Sequence, residues 1–186
     1  MNLTKTEDIL SGDVQFAMSV LRRTGDLSPM FVIHGASGEV VPISALTETD
    51  EEKDQTYKLI ELLNVACNAR AYTHMATAWM SRPKNQGESA VRPSLDPDRQ
   101  EIMIVSVITR TAILAHITKI FRDDAGNITD LEHMEIDGKT AISGRAAELL
   151  PLVDITPEMT MEAKVILNKL GINLPDPPPS SSASVH

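Results

Sequence analysis

The chain has 186 residues, with 17 basic against 26 acidic side chains, a net charge of −9 and 42% hydrophobic residues. That length buries about 70% of the unfolded surface in a single core, so no disulfide or metal staple is needed. An acidic balance without a basic stripe disfavours nucleic-acid binding by phosphate neutralisation, and no nucleic-acid partner is expected. A lone Cys67 excludes an intrachain disulfide and suits a reducing compartment.

The opening residues lack the basic stretch and apolar run of a secretion signal, so the expected location is the cytoplasm. The apolar region from Ile102 to Phe121 is interrupted by Arg110 and Lys119 and is rich in β-branched residues. It predicts a buried hairpin rather than a membrane span, and no membrane partner is expected.

Thr4-Lys5-Thr6-Glu7 has capping-box spacing, and Leu10, Val14, Ala17 and Leu21 recur on one helical face up to Gly25. Met30 to His34 and Glu39 to Ile43 flank Gly35-Ala36-Ser37-Gly38, the pattern of a hairpin, and Pro42 assigns its second strand to a sheet edge. Thr49-Asp50-Glu51-Glu52 is a second capping box, with acids where the helix dipole favours them. Leu59, Leu62, Leu63 and Ala66 supply the apolar face of that helix, which should end near Asn68.

Ala69 to Met80 reads as a strand, Glu101 to Ile108 as a central strand apolar on both faces, and Thr111 to Arg122 as its neighbour. Asp123-Asp124-Ala125-Gly126-Asn127 signals a turn before a short strand from Ile128 to Ile136. Ala141 to Leu150 reads as a helix stopped by Pro151. Thr156-Pro157-Glu158 caps a last helix with Val165, Ile166 and Leu170 as its apolar face and Gly171 at its end. The sum is an α+β fold: one mainly antiparallel sheet of five or six strands, with two helices from the N-terminal half and the C-terminal helices packed on it. Residues 1–174 form a single domain on this reading, and 175–186 a disordered Pro/Ser-rich tail.

Chemistry-bearing side chains concentrate between Trp79, the only tryptophan, and Glu101. Trp79 ends one strand, and Arg92-Pro93-Ser94-Leu95-Asp96-Pro97-Asp98-Arg99-Gln100-Glu101 leads into the next. Two readings stay open. In one, Asp96 and Pro97 start a turn, Asp98 accepts nearby backbone N–H groups and Arg99 pairs with Glu101, all of it structural. In the other, Trp79, Arg92, Ser94, Asp96, Asp98, Arg99 and Glu101 form a binding surface, with Arg99 as a bidentate fork and Trp79 as a stacking wall.

Catalytic templates fit poorly. Pro97-Asp98 followed by Glu101-Ile102-Met103 lacks the lysine and spacing of a metal nuclease. Ser94 has no nucleophile elbow, Gly35 to Gly38 is followed by a strand rather than a phosphate-binding helix, and Cys67 sits at a helix C-terminus, where the dipole opposes a thiolate. No catalytic residue, metal ligand set or cofactor is assigned. The competing enzyme reading is a metal-dependent hydrolase, with His74 and His116 on one sheet face beside Asp98 or Glu101. The nine methionines, among them Met75, Met80, Met103, Met159 and Met161, read as core filling.

The segment Ala76-Thr77-Ala78-Trp79-Met80, followed by Arg92 to Glu101, resembles a pattern in small uncharacterised bacterial and phage-associated proteins. In these an Ala-Trp-Met strand end precedes Pro-Ser-x-Asp-Pro-Asp-Arg-x-Glu behind an acid-rich helix like Asp50 to Asn68. The resemblance spans about Met30 to Phe121 and implies one α+β domain of bacterial or phage origin, with no attached activity. The resulting expectation is a non-enzymatic interaction domain that binds a protein or a small polar ligand through the loop, with a homodimer through a sheet edge as a further partner. A purely structural subunit is the third alternative.

Overall fold

A computed structural model describes residues 3–45, 49–81, 91–135, 149–150 and 154–174. Four strands form an antiparallel meander, the middle two rich in β-branched residues: β3 (Ala69–Met80), β4 (Gln100–Ile108), β5 (Ile113–Arg122) and β6 (Ile128–Met134). The hairpin of β1 (Met30–Gly35) and β2 (Val40–Ser44) adds to the free side of β3, giving one six-stranded sheet in the order β2-β1-β3-β4-β5-β6. Strand β4 is central and Pro42 lies on an edge strand, as both patterns predict. The expected hairpin from Ile102 to Phe121 is β4 and β5, of which β4 is largely buried and β5 largely half-buried. Among the described residues no helix is long and apolar enough to cross a membrane.

Two turns show how local chemistry sets these strands. Gly35 N–H donates to the Glu39 carbonyl at 2.8 Å, and Gly38 closes the hairpin at φ 96°, a conformation that costs glycine no Cβ clash. Between β5 and β6 the Asp123 carboxylate accepts from the backbone N–H groups of Ala125 and Asn127 at 3.0 and 2.8 Å, while Gly126 takes φ 85°.

Helices cover both faces. α1 (Leu3–Thr24) crosses β3, β4 and β5 on one side; on the other, α2 (Asp50–Ala66) lies against β1 and β3, and α3 (Pro157–Lys169) packs on α2. Val14, Ala17 and Leu21 of α1 bury themselves on Val32, Met75, Met103, Val105 and Ile120. Ile60, Leu63 and Ala66 of α2 meet Phe31, Ile33, Tyr72 and Ile108 from the opposite side. Each such large side chain contributes about 1.5–3 kcal/mol when wholly buried. Met75 and Met103 are fully buried fillers, whereas Met161 is exposed.

The α2 capping box is present: Thr49 Oγ1 accepts from Glu52 N–H at 3.2 Å and Glu52 Oε2 accepts from Thr49 N–H at 2.9 Å. Thr156 caps α3 with Pro157 in its first turn, and Gly171 follows at φ 76°. Two expectations need correction. The first helix is already under way at Leu3, so Thr4 to Glu7 lies inside it rather than at its cap. In α3 the buried residues are Ala163 and Leu167, while Val165, Ile166 and Leu170 are exposed, because the α2 contact selects a different stripe. The expected helix at Ala141 to Leu150, except its last two residues, and the tail from Pro175 lie outside the described residues.

Candidate functional site

Antiparallel register places Trp79 of β3 directly opposite Glu101 of β4, so both side chains leave the same sheet face. The chain reaches Glu101 through a short 3-10 turn, Pro93–Leu95, in which Leu95 N–H donates to the Arg92 carbonyl at 2.8 Å. Asp96 then turns inward. Only 5% exposed, it accepts the Asp98 N–H on Oδ1 at 3.0 Å, while Arg99 N–H donates to its carbonyl at 3.3 Å. Asp96 is thus an acceptor of this turn: its buried carboxylate pins the loop from beneath, and Asp98 stands at the surface.

The expected Arg99–Glu101 pair is not formed. Glu101 accepts two hydrogen bonds from Arg122 of β5, at 2.7 and 2.8 Å, a bidentate fork across neighbouring strands with both side chains mostly buried. Strand β4 begins at Gln100, so Arg99 still belongs to the loop and is not held to the face that Glu101 takes. The Glu101 hydrogen bonds raise the Arg122 pKa above its ordinary value and lock the guanidinium in its charged form. Arg122 is further tied to the Gly126 carbonyl at 2.9 Å.

Arg99 lies instead over the Trp79 ring, its guanidinium carbon 4.5 Å from the ring centroid, with one N–H reaching the Pro93 carbonyl at 3.4 Å. Trp79 is 50% exposed, and in the loop Val91 and Leu95 are 50% and 73% exposed. Arg92 and Ser94 also lie at the surface of the loop. Trp79, Leu95 and Arg99 thus face solvent, while Asp96 and Glu101 are consumed in holding them.

The sheet separates the metal candidates. His74 pairs with Ser106, and His116 pairs with Val105, the next residue along β4, so the two imidazoles occupy opposite faces. His74 packs on Phe31, ring centroids 4.8 Å apart, and burial lowers its pKa. His116 stacks on His133 at 4.4 Å and bonds Thr118 Oγ1 at 3.1 Å; burial first and His133 second lower its pKa. The hydrolase ligand set of His74, His116 and Asp98 or Glu101 is therefore not brought together, and the described residues hold no cluster of three ligands suited to a metal. Cys67 caps α2 in a buried position, its thiol pushed up to about 11, chiefly by burial and then by Glu39, which makes it inert as a nucleophile.

One polar constellation escapes motif reading. His34 Nε2 lies 2.9 Å from Asp13 Oδ2 and 3.1 Å from Thr73 Oγ1, and the Thr73 hydroxyl donates to the same Asp13 oxygen. Asp13 breaks the apolar stripe of α1 between Leu10, Val14 and Ala17, the signal by which it could be found. Chemically this is a latch between α1 and the sheet. The Thr73 hydroxyl donates to Asp13, and His34 Nε2 lies within hydrogen-bond distance of both, so one helix carboxylate is held by two strands.

Comparison of the chain with protein-family models, with curated proteins and with solved structures returns no match.

Proposed function

We propose that this chain is a non-enzymatic cytoplasmic binding domain whose Trp79–Arg99 surface docks a protein partner. One observation carries the reading: the only tryptophan, half exposed at the end of β3, lies beneath an arginine fork from a loop that a buried aspartate pins and that also exposes Leu95 and Val91. Tryptophan and arginine are the residue types that most often dominate interface energy, and stacking leaves the guanidinium edge preorganised for a carboxylate. The partner segment therefore supplies a carboxylate to Arg99 and an apolar side chain to the Trp79–Leu95 surface. Homodimerisation through a sheet edge has less support: Pro42 interrupts the donor row of β2, and Asp130, Glu132 and His133 line β6.

The test is affinity capture with the full tagged chain and its variants. A partner held by the wild type should be weakened about 30-fold or more by Trp79→Ala and by Arg99→Ala, the effect of losing a hot-spot side chain. Arg70→Gln, on a different surface, should capture it unchanged. Retention of every partner by both loop variants overturns the reading, and a partner that proves to be a second copy of this chain replaces the heteromeric form with a homomeric one.

A further inference from the structure

At one end of the sheet four separate elements converge on a cavity of about 490 Å³: Lys5 in the first turn of α1, Ala36 in the β1–β2 turn, Asn68 to Arg70 at the start of β3, and Thr109 to Thr111 between β4 and β5. Sequence distance hides this meeting, because the three basic residues, Lys5, Arg70 and Arg110, stand on three different elements. In a chain of net charge −9, three cations on one concavity are an unusual local concentration. Lys5 and Arg70 are exposed and have no ion-pair partner among the described residues. Arg110 touches Asp154 at 2.9 Å, but Asp154 is fully exposed, and such a pair is worth only about 0–1 kcal/mol and exchanges readily.

The backbone around the cavity is fixed in advance. Thr109 Oγ1 accepts from the N–H groups of Thr111 and Ala112 at 3.3 and 2.9 Å and donates to the Ala112 carbonyl at 3.0 Å, holding Arg110 and Thr111 at the tip of their turn. Asn68 adopts the left-handed region at φ 45°, which turns the chain from α2 into β3 and presents Arg70. Lys5 brings the positive end of the α1 dipole to the same place.

We infer that this cavity binds a small ligand through a phosphate or diphosphate group. Its volume falls in the range of about 300–1,000 Å³ typical of small-molecule sites. Two guanidinium groups offer bidentate forks and Lys5 a point charge, a donor set that a multiply charged tetrahedral oxyanion satisfies and a single carboxylate does not. A nucleic-acid backbone is disfavoured, because the positive surface is one concavity in an acidic chain rather than a track.

Isothermal titration of the full chain with inorganic pyrophosphate at low salt, against chloride of matched ionic strength, tests the site. Saturable binding at one pyrophosphate per chain is expected, weakened about tenfold or more by Arg70→Gln and also weakened by Lys5→Gln, since each removes one charge-assisted contact. Arg99→Ala should bind pyrophosphate like the wild type, so failure here and failure of the docking surface are separately visible. The absence of saturable heat, a response matched by chloride, binding indifferent to both Arg70→Gln and Lys5→Gln, or tighter binding of a DNA duplex through the same residues would each overturn the proposal.

Discussion

Glu101 accepts both Arg122 hydrogen bonds in a setting only partly reached by water, between the regimes in which an ion pair contributes almost nothing and in which its rupture costs several kcal/mol. Glu101→Gln keeps the shape and removes the charge, so it should lower the urea-unfolding stability by about 1–2 kcal/mol. Arg99→Ala, which loses only a surface stack, should lower it by no more than about 1 kcal/mol. Larger loss from Arg99 than from Glu101 would mean that the pairing is the reverse of that described. His74 gives the pH dependence. Burial lowers its folded pKa below the ordinary 6.5, so the unfolded chain binds the proton more readily and stability falls as pH drops below about 6.5. His116 acts in the same direction. Unfolding at pH about 7.5 and about 5.5 should show this loss, and His74→Gln should make it smaller; an unchanged loss would assign it to other groups. At this scale the residue types of the site were legible, but their directions were not. Arg99 and Arg122 are equally available to Glu101 on paper, and only the β4–β5 register, set by hydrophobic pairing elsewhere, gives the carboxylate to Arg122.

Strand and cap signals carried much of the architecture at the level of elements. Ala69 to Met80 is a strand over its full expected length, and Thr49 and Thr156 cap their helices through local hydrogen bonds that need no tertiary partner. The face of α3 was not legible, because apolar residues occur around most of that helix and the choice among stripes is made by α2. That choice has a measurable consequence. Leu167→Ala, at a fully buried position, should cost about 2–4 kcal/mol, whereas Ile166→Ala should cost less than about 1 kcal/mol. Equal costs would place α3 in a different rotation.

Across the whole molecule, the helices support the sheet and leave two candidate surfaces open. α1 and the α2–α3 pair bury its two faces, the Asp13–His34–Thr73 latch ties α1 to it, and the Trp79 loop and the Lys5–Arg70–Arg110 cavity remain at the surface. The cavity was invisible in the sequence, since its members lie as far apart as Lys5 and Thr111 and meet only when strands and turns are assembled. The loop was visible because proline, aspartate and tryptophan crowd one short stretch. Its role as a docking surface is the central claim, and Trp79, as the only tryptophan, makes it readable at a single site. Acrylamide quenching of tryptophan emission should be efficient in the free protein, more efficient in Arg99→Ala, and strongly suppressed when the captured partner is bound. Quenching that stays unchanged in the complex would contradict the claim.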